Sequence, residues 1–191
     1  MKKDLKDKAA VFPMPVLMVA IYDEGGVINV MNATWGMISD MDKITLFLDE
    51  RHKTTANIRA VRAFMVSSAD HAHMAEADFF GIATGNKMPD KFARTGLHAV
   101  KSAHVNAPVI EEFPVVMECD LLEIIETEHS FAIVGRIVNT QAEEAILDEK
   151  GKVDPRKLNA LMFDQFQSGY YAVGEQVGKA WNAGAGLMKG K

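Results

Sequence analysis

The segment Arg51-His52-Lys53-Thr54-Thr55-Ala56-Asn57 places three cationic or potentially cationic side chains directly before two hydroxyls, where a helix is expected to begin. A helix N-terminus presents unpaired backbone N–H groups and the positive end of its dipole, which suits a phosphate or a carboxylate. In a chain with a net charge of −5, a basic cluster there reads as an anion site. A solvated loop with a threonine cap accounts for the same residues equally well. A second segment, Asn29-Val30-Met31-Asn32-Ala33-Thr34-Trp35-Gly36, leaves an expected strand with small polar residues and one of the two tryptophans. Small residues let a flat ligand approach the backbone, and Trp35 offers an aromatic wall. The alternative is a loop whose tryptophan plugs the core. An anion site and a flat-ligand loop together would suit a phosphorylated heteroaromatic cofactor.

Other chemistry is thinly represented. No Gly-x-Gly-x-x-Gly follows a strand, and no P-loop, His-Glu-x-x-His or Gly-x-Ser-x-Gly pattern occurs. His71-Ala72-His73 with Glu76 is a poor metal set, because positions two apart on a helix point to different faces. Cys119 is the only cysteine, so it forms no internal disulfide, and its place on the apolar face of a strand reads as a buried, inert thiol. No metal site and no catalytic side chain is assigned.

The elements that must position these segments are mostly strands. Residues 16–22 form a continuous apolar run that reads as a strand buried on both faces. Asp23-Glu24-Gly25-Gly26 reads as a turn, and residues 27–31 return as the second strand of a hairpin. A third short strand covers 44–48. A helix follows from Thr54 or Thr55, with a hydroxyl as cap and with Ile58, Val61 and Met65 at helical spacing. Residues 71–80 read as a second helix, 81–89 as a loop and 91–97 as one helical turn. In 115–125, Val115, Met117, Cys119 and Leu121 face one way, while Glu118 and Asp120 face the other. Residues 131–138 complete a hairpin across Thr127-Glu128-His129-Ser130, and helical pieces are expected near 155–161 and 177–182. The fold expected is β-rich α+β: an antiparallel barrel or sandwich with helices inserted between hairpins and at the C-terminus.

The 191 residues fit one domain, 48% apolar and 25% charged, which excludes a disordered or collagen-like chain. The acidic balance argues against nucleic acid and anionic membrane as partners. The charged N-terminal residues are not followed by a secretory leader pattern, and the longest apolar run is far too short to span a bilayer. A reduced, cytoplasmic setting is expected.

These segments, in this order, resemble the flavin reductase-like family, and within it the flavoredoxin-type FMN-binding split barrels. The resemblance runs from about Pro13 to Gly184. It is carried by the Pro-x-Pro-Val motif at residues 13–16, by Gly26, Asn29, Met31 and Trp35, and by Arg51 to Ile58. Asp90-Lys91-Phe92, Gly96-Leu97, residues 107–111, Pro114 with Glu118-Cys119, Gly169-Tyr170 and Val173-Gly174-Glu175 follow. The resemblance implies a single domain, a Greek-key split barrel, and a homodimer with flavin sites at the subunit interface. It also implies FMN as cofactor, with NADH or NADPH as electron donor.

By the same resemblance, Asn29, Met31 and the loop Asn32, Ala33, Thr34 and Trp35 would line the ring system and ribityl chain. Lys53, Thr54, Thr55 and Asn57 would sit at or near the phosphate, with Lys91 as a further cation. His129 and Phe163 correspond to flavin-contacting positions, contributed from the same or the second subunit. Two departures stand out: Asn32 replaces a frequent threonine, and Met41-Asp42 replaces a frequent proline pair. The implied activity is a flavin or ferric reductase. The alternatives are a flavoredoxin-like electron carrier and a non-catalytic module binding FMN or another ligand.

Overall fold

Residues 16–21 are buried without a break, so the strand they contribute must be covered on both faces, and the rest of the chain supplies that cover. The computed structural model describes residues 1–6, 11–128 and 130–188. The strands are β1 (Met14–Pro15), β2 (Leu17–Tyr22), β3 (Ile28–Ala33), β4 (Gly36–Asp40), β5 (Lys43–Leu46) and β6 (Ala63–Ser68). They continue with β7 (Ala99–Lys101), β8 (Pro108–Ile110), β9 (Val115–Thr127), β10 (Ser130–Ala142), β11 (Leu161–Asp164) and β12 (Gly169–Ala172). The helices are α1 (Lys53–Val61), α2 (Met74–Ile82) and α3 (Pro155–Leu158).

One seven-stranded antiparallel sheet, in the order β3-β2-β6-β9-β10-β5-β4, forms the body. Side chains alternate across it. Leu17, Val19, Phe64, Cys119 and Ile133 enter one core together with Leu46 and with Ile58 of α1, while Met18, Ala20, Met65 and Val116 enter the other. The first core draws on strands from both ends of the sheet, which is possible only if the sheet is rolled. Gly36 shows the closure: a Cβ there would lie 2.7 Å from Leu46 Cδ2 and 2.9 Å from Leu17 Cδ1. Bulges at Ile38/Asp40, Val134/Gly135 and Ile137/Asn139 bend the strands toward that closure. β3 and β4 are not paired with each other, so the barrel is split along that seam. α2, the β7–β8 hairpin and the small sheet β1-β11-β12 cover the second core.

Several expectations need correction. α1 begins at Lys53 with His52 as N-cap and no side-chain cap, because both threonine hydroxyls are engaged elsewhere. It ends at Val61, where Arg62 turns left-handed (φ 62°) and its N–H closes on the Ile58 carbonyl. Met65 therefore lies on β6; a strand buried on both faces is apolar throughout and matches helical spacing by accident. The second helix starts at Met74, after a turn in which the Asp70 carboxylate takes the His73 N–H at 3.0 Å and holds Nδ1 at 2.8 Å.

β4 falls where no element was expected. Only 155–158 of the expected 155–161 helix is helical, and β11 and β12 follow it. Residues 177–182 are not helical, and only a 3-10 turn, Ala185–Met188, follows them. Glu118 does point away from Cys119, yet it is fully buried, because the β7–β8 segment covers that face. Among the described residues no helix is long and apolar enough to cross a membrane.

Candidate functional site

The N-terminus of α1 opens beside the β2–β3 hairpin. The first intrahelical bond runs from the Ala56 N–H to the His52 carbonyl at 3.2 Å, so the N–H groups before it have no helical acceptor. No acidic residue lies in the first turn. Thr54 is buried, and its hydroxyl oxygen accepts from Asn29 Nδ2 of β3 at 2.7 Å. Asn57, one turn on and on the same side of the helix, is also buried. Among the described residues its Nδ2 has no hydrogen-bond partner. A buried donor left open costs roughly 1–3 kcal/mol, so a fold retains one chiefly where something else satisfies it.

Of the three cationic side chains in the sequence cluster, Lys53 alone is turned to this opening. Arg51 forks onto Asp49, with Nε and Nη2 at 2.9 and 2.6 Å, and holds that carboxyl far below its usual range. His52 is exposed. Lys53 Nζ stands 3.7 Å from Asp23, whose carboxyl is lowered first by the Val27 N–H and further by the Gly25 N–H and Lys53. Thr55 faces away, its hydroxyl donating to the Asp49 carbonyl at 2.8 Å.

The loop after α2 closes the opposite side. Asn86 Nδ2 donates to the Arg51 carbonyl at 3.0 Å. A Cβ on Gly85 would sit 2.3 Å from Asn29 Oδ1 and 3.3 Å from Lys53 Cβ. Only glycine lets this backbone come so near the opening. Lys91 is almost fully buried, donates to the Ala83 carbonyl at 2.7 Å and lies over the Phe80 ring. It thus holds the C-terminal carbonyls of α2, and burial pushes its ammonium down to about 8. Gly85 and Asp23 are absent from the sequence-based site. The Thr-Gly-Asn step at 84–86 is a turn signal, but nothing local ties it to a residue 32 positions earlier.

β3 runs from this opening to the split. It is an edge strand, so the backbone groups on its free side lack a strand partner. From Asn29 to Ala33 it covers roughly 13 Å, and the chain then bends at Trp35. Met31 and Ala33 face the barrel core. Trp35 is 63% exposed, which excludes the core plug. With Thr34, Gly36 and Phe47 it lines an apolar groove of about 690 Å³ at the corner. Asn32 points to the opposite face, where its Nδ2 donates to the Ala77 carbonyl of α2 at 3.0 Å.

Phe163 also belongs to that outer face, packed against Tyr170 at 6.0 Å and paired in register with Met14. Tyr170 donates to Asp78 at 3.0 Å, and burial first, then Asp78, pushes its hydroxyl up to about 12. His129 lies outside the described residues. The hairpin tip that carries it is tied to α1 by Arg59, which bonds Glu126 at 2.8 Å and covers the Phe131 ring. The structure therefore gathers Asn29, Lys53, Thr54 and Asn57, places Thr34 and Trp35 just past the end of β3, and puts Asn32 and Phe163 on the outer face. Cys119 is buried, and burial pushes its thiol up to about 12. Among the described residues no group of three His, Cys, Asp or Glu side chains could hold a metal ion.

The donor set fits a phosphate-bearing flavin. The helix start offers open N–H groups and a lysine, Asn57 offers an unpartnered amide, and Gly85 leaves room where a Cβ would intrude.

Comparison with known proteins gives a consistent picture. The model of the flavin reductase like domain matches residues 9–170. Among solved structures, flavoredoxin of Desulfovibrio vulgaris (Miyazaki F) is 34% identical, with a TM-score of 0.91 over 96% of this chain and 100% of that one. Flavoredoxin from Methanosarcina acetivorans is 24% identical, with a TM-score of 0.89 over 98% of this chain and 100% of that one. Nitrilotriacetate monooxygenase component B from Bacillus cereus shares the fold at 19% identity and a TM-score of 0.78, over 94% and 98% of the two chains. A comparison with curated proteins finds no match.

Proposed function

This chain belongs to the flavin reductase-like family, and from that premise we propose that it is an oxidoreductase that holds FMN, takes electrons from NADH or NADPH, and passes them to free flavin, iron or a partner protein. The observation that carries the reading is the Asn57 amide, buried and unpartnered beside the open start of α1. FMN, when bound, supplies hydride or single-electron transfer. The first-turn N–H groups, the Thr54 hydroxyl and Lys53 would hold the phosphate, a charge-assisted set stronger than neutral hydrogen bonds. Asn29 fixes the Thr54 hydroxyl, and β3, Thr34 and Trp35 would hold the ring system. These residues bind, orient and tune; no side chain is assigned as general base.

A second reading, an electron carrier that does not react directly with nicotinamide, is favoured by the similarity to flavoredoxin across nearly the whole chain. In either reading the protein is a homodimer. Trp35, Met37 and Ile38 are each more than half exposed around one groove, a larger apolar patch than a lone subunit tends to present.

The test is the visible spectrum of purified protein before and after anaerobic NADH or NADPH. Flavin bands that bleach within seconds are expected. Bands that persist with nicotinamide but bleach with a chemical reductant select the carrier. No flavin as purified, and none retained from added FMN, removes both readings.

A further inference from the structure

Two apolar features have no partner among the described residues of this chain. One is the corner groove, where Trp35, Met37, Ile38 and Phe47 are 63%, 64%, 57% and 47% exposed. The other is the C-terminal segment after β12. Val177, Trp181, Leu187 and Met188 are 101%, 103%, 91% and 88% exposed, so they touch almost nothing of their own subunit. Among the described residues, every hydrogen bond of residues 176–188 stays inside the segment, as in the Ala183 N–H to Lys179 carbonyl bond at 3.0 Å. The segment is a folded arm with an apolar surface, not a polar tail.

We propose that this arm is an exchanged element, each copy laying residues 177–188 in the corner groove of a second copy. The proposal rests on the homodimer reading. Three observations select the partner's arm as occupant. The arm's anchors are a tryptophan and aliphatic or thioether side chains, the types that fill apolar grooves. Charge does not oppose the contact: residues 176–191 carry Lys179, Lys189 and Lys191 and no acidic side chain, and no charged side chain lines the groove. The arm also starts beside the groove. It leaves β12, in the small sheet whose other edge, β1, lines the groove through Met14 and Pro15, and Phe12 packs edge-on against Tyr171 of β12 at 5.5 Å.

Fully extended, 16 residues reach roughly 50 Å, enough to cross a two-fold interface. Two-fold symmetry uses the contact twice. The arm would then cover the Trp35 end of β3, so that the second copy completes the wall of the flavin site.

The test co-expresses two forms of the full chain, one tagged and carrying Ser39→Cys on the groove-side strand β4, the other untagged and carrying Gly184→Cys in the arm. At Gly184 a side chain meets nothing within 4 Å, and the native Cys119 is buried. A short bis-maleimide is expected to join tagged to untagged copies, with no product when either new cysteine is missing. Trp181→Ala with Leu187→Ala is expected to raise the dimer dissociation constant at least tenfold by sedimentation. A dimer that gives no such product, or a chain carrying both cysteines that links only within itself, overturns the arm exchange and leaves the dimer standing. A monomer at every concentration sinks the dimer reading, and the exchange with it.

Discussion

Two buried polar clusters in this molecule look alike in composition and differ in completeness. Around Glu118 on β9, a fully buried carboxylate accepts from Ser102, from Asn139 Nδ2 at 2.6 Å and from Gln141 Nε2 at 2.5 Å. The Ser102 oxygen in turn accepts the N–H groups of His104 and Val105 at 2.9 and 3.0 Å. Burial works to raise the Glu118 carboxyl, and the bonds from Ser102, Gln141 and Asn139 outweigh it and hold it low. At the start of α1, by contrast, Asn29 and Thr54 satisfy each other while Asn57 is left with an open donor. The first cluster fastens the β7–β8 segment to the barrel. The second leaves one buried donor open among the described residues. A satisfied buried network is architecture; an unsatisfied one points to a ligand.

Substitutions can break this contrast or sharpen it. The largest effect is expected for Glu118→Ala, which takes the shared acceptor from Ser102, Asn139 and Gln141 at once. Unfolding in urea should show a loss of about 3 kcal/mol or more, since each hydrogen bond to a charged group contributes roughly 1.5–3 kcal/mol. FMN affinity of the folded fraction should stay within about twofold. Unaltered stability with lost FMN binding would reverse the roles of the two clusters.

Lys53→Ala combined with Thr54→Ala should act the other way. Each charge-assisted bond is worth roughly 1.5–3 kcal/mol, so fluorescence titration should show FMN binding weakened about 100-fold or more. Retained affinity would move the phosphate away from α1.

The smallest and sharpest change is Asn57→Leu. Removing the open donor should stabilise the flavin-free chain by about 1 kcal/mol while weakening FMN binding about tenfold. A variant that is less stable when flavin-free would mean that Asn57 serves the fold.

Much of the architecture was legible along the chain because its signals are local. The turn at 23–26 closes through the Asp23 carboxylate on the N–H groups of Gly25 and Val27, and the hairpin across 127–130 follows from two apolar runs. β4 was missed because its burial is slight on every residue, so no alternation marked it. β11 and β12 were missed because each has four residues, too short for a period to show. The spacing put Glu118 on the face opposite Cys119 but not its burial: alternation tells which face a side chain takes, not whether another segment covers that face.

The sequence by itself determined the β2–β3 and β9–β10 hairpins, the antiparallel class and the placing of a helix start just after a basic cluster. Backbone dipoles and turn chemistry depend on neighbours in the chain, so they are written locally. Only the tertiary structure decided that Arg51 and Lys91 are engaged by Asp49 and by the α2 carbonyls, that Asn32 turns outward, and that Gly85 roofs the opening. It alone left Asn57 open and Trp35 exposed. Those outcomes depend on which distant segments meet, and a hydrogen bond or a cavity exists only once both of its sides are in place.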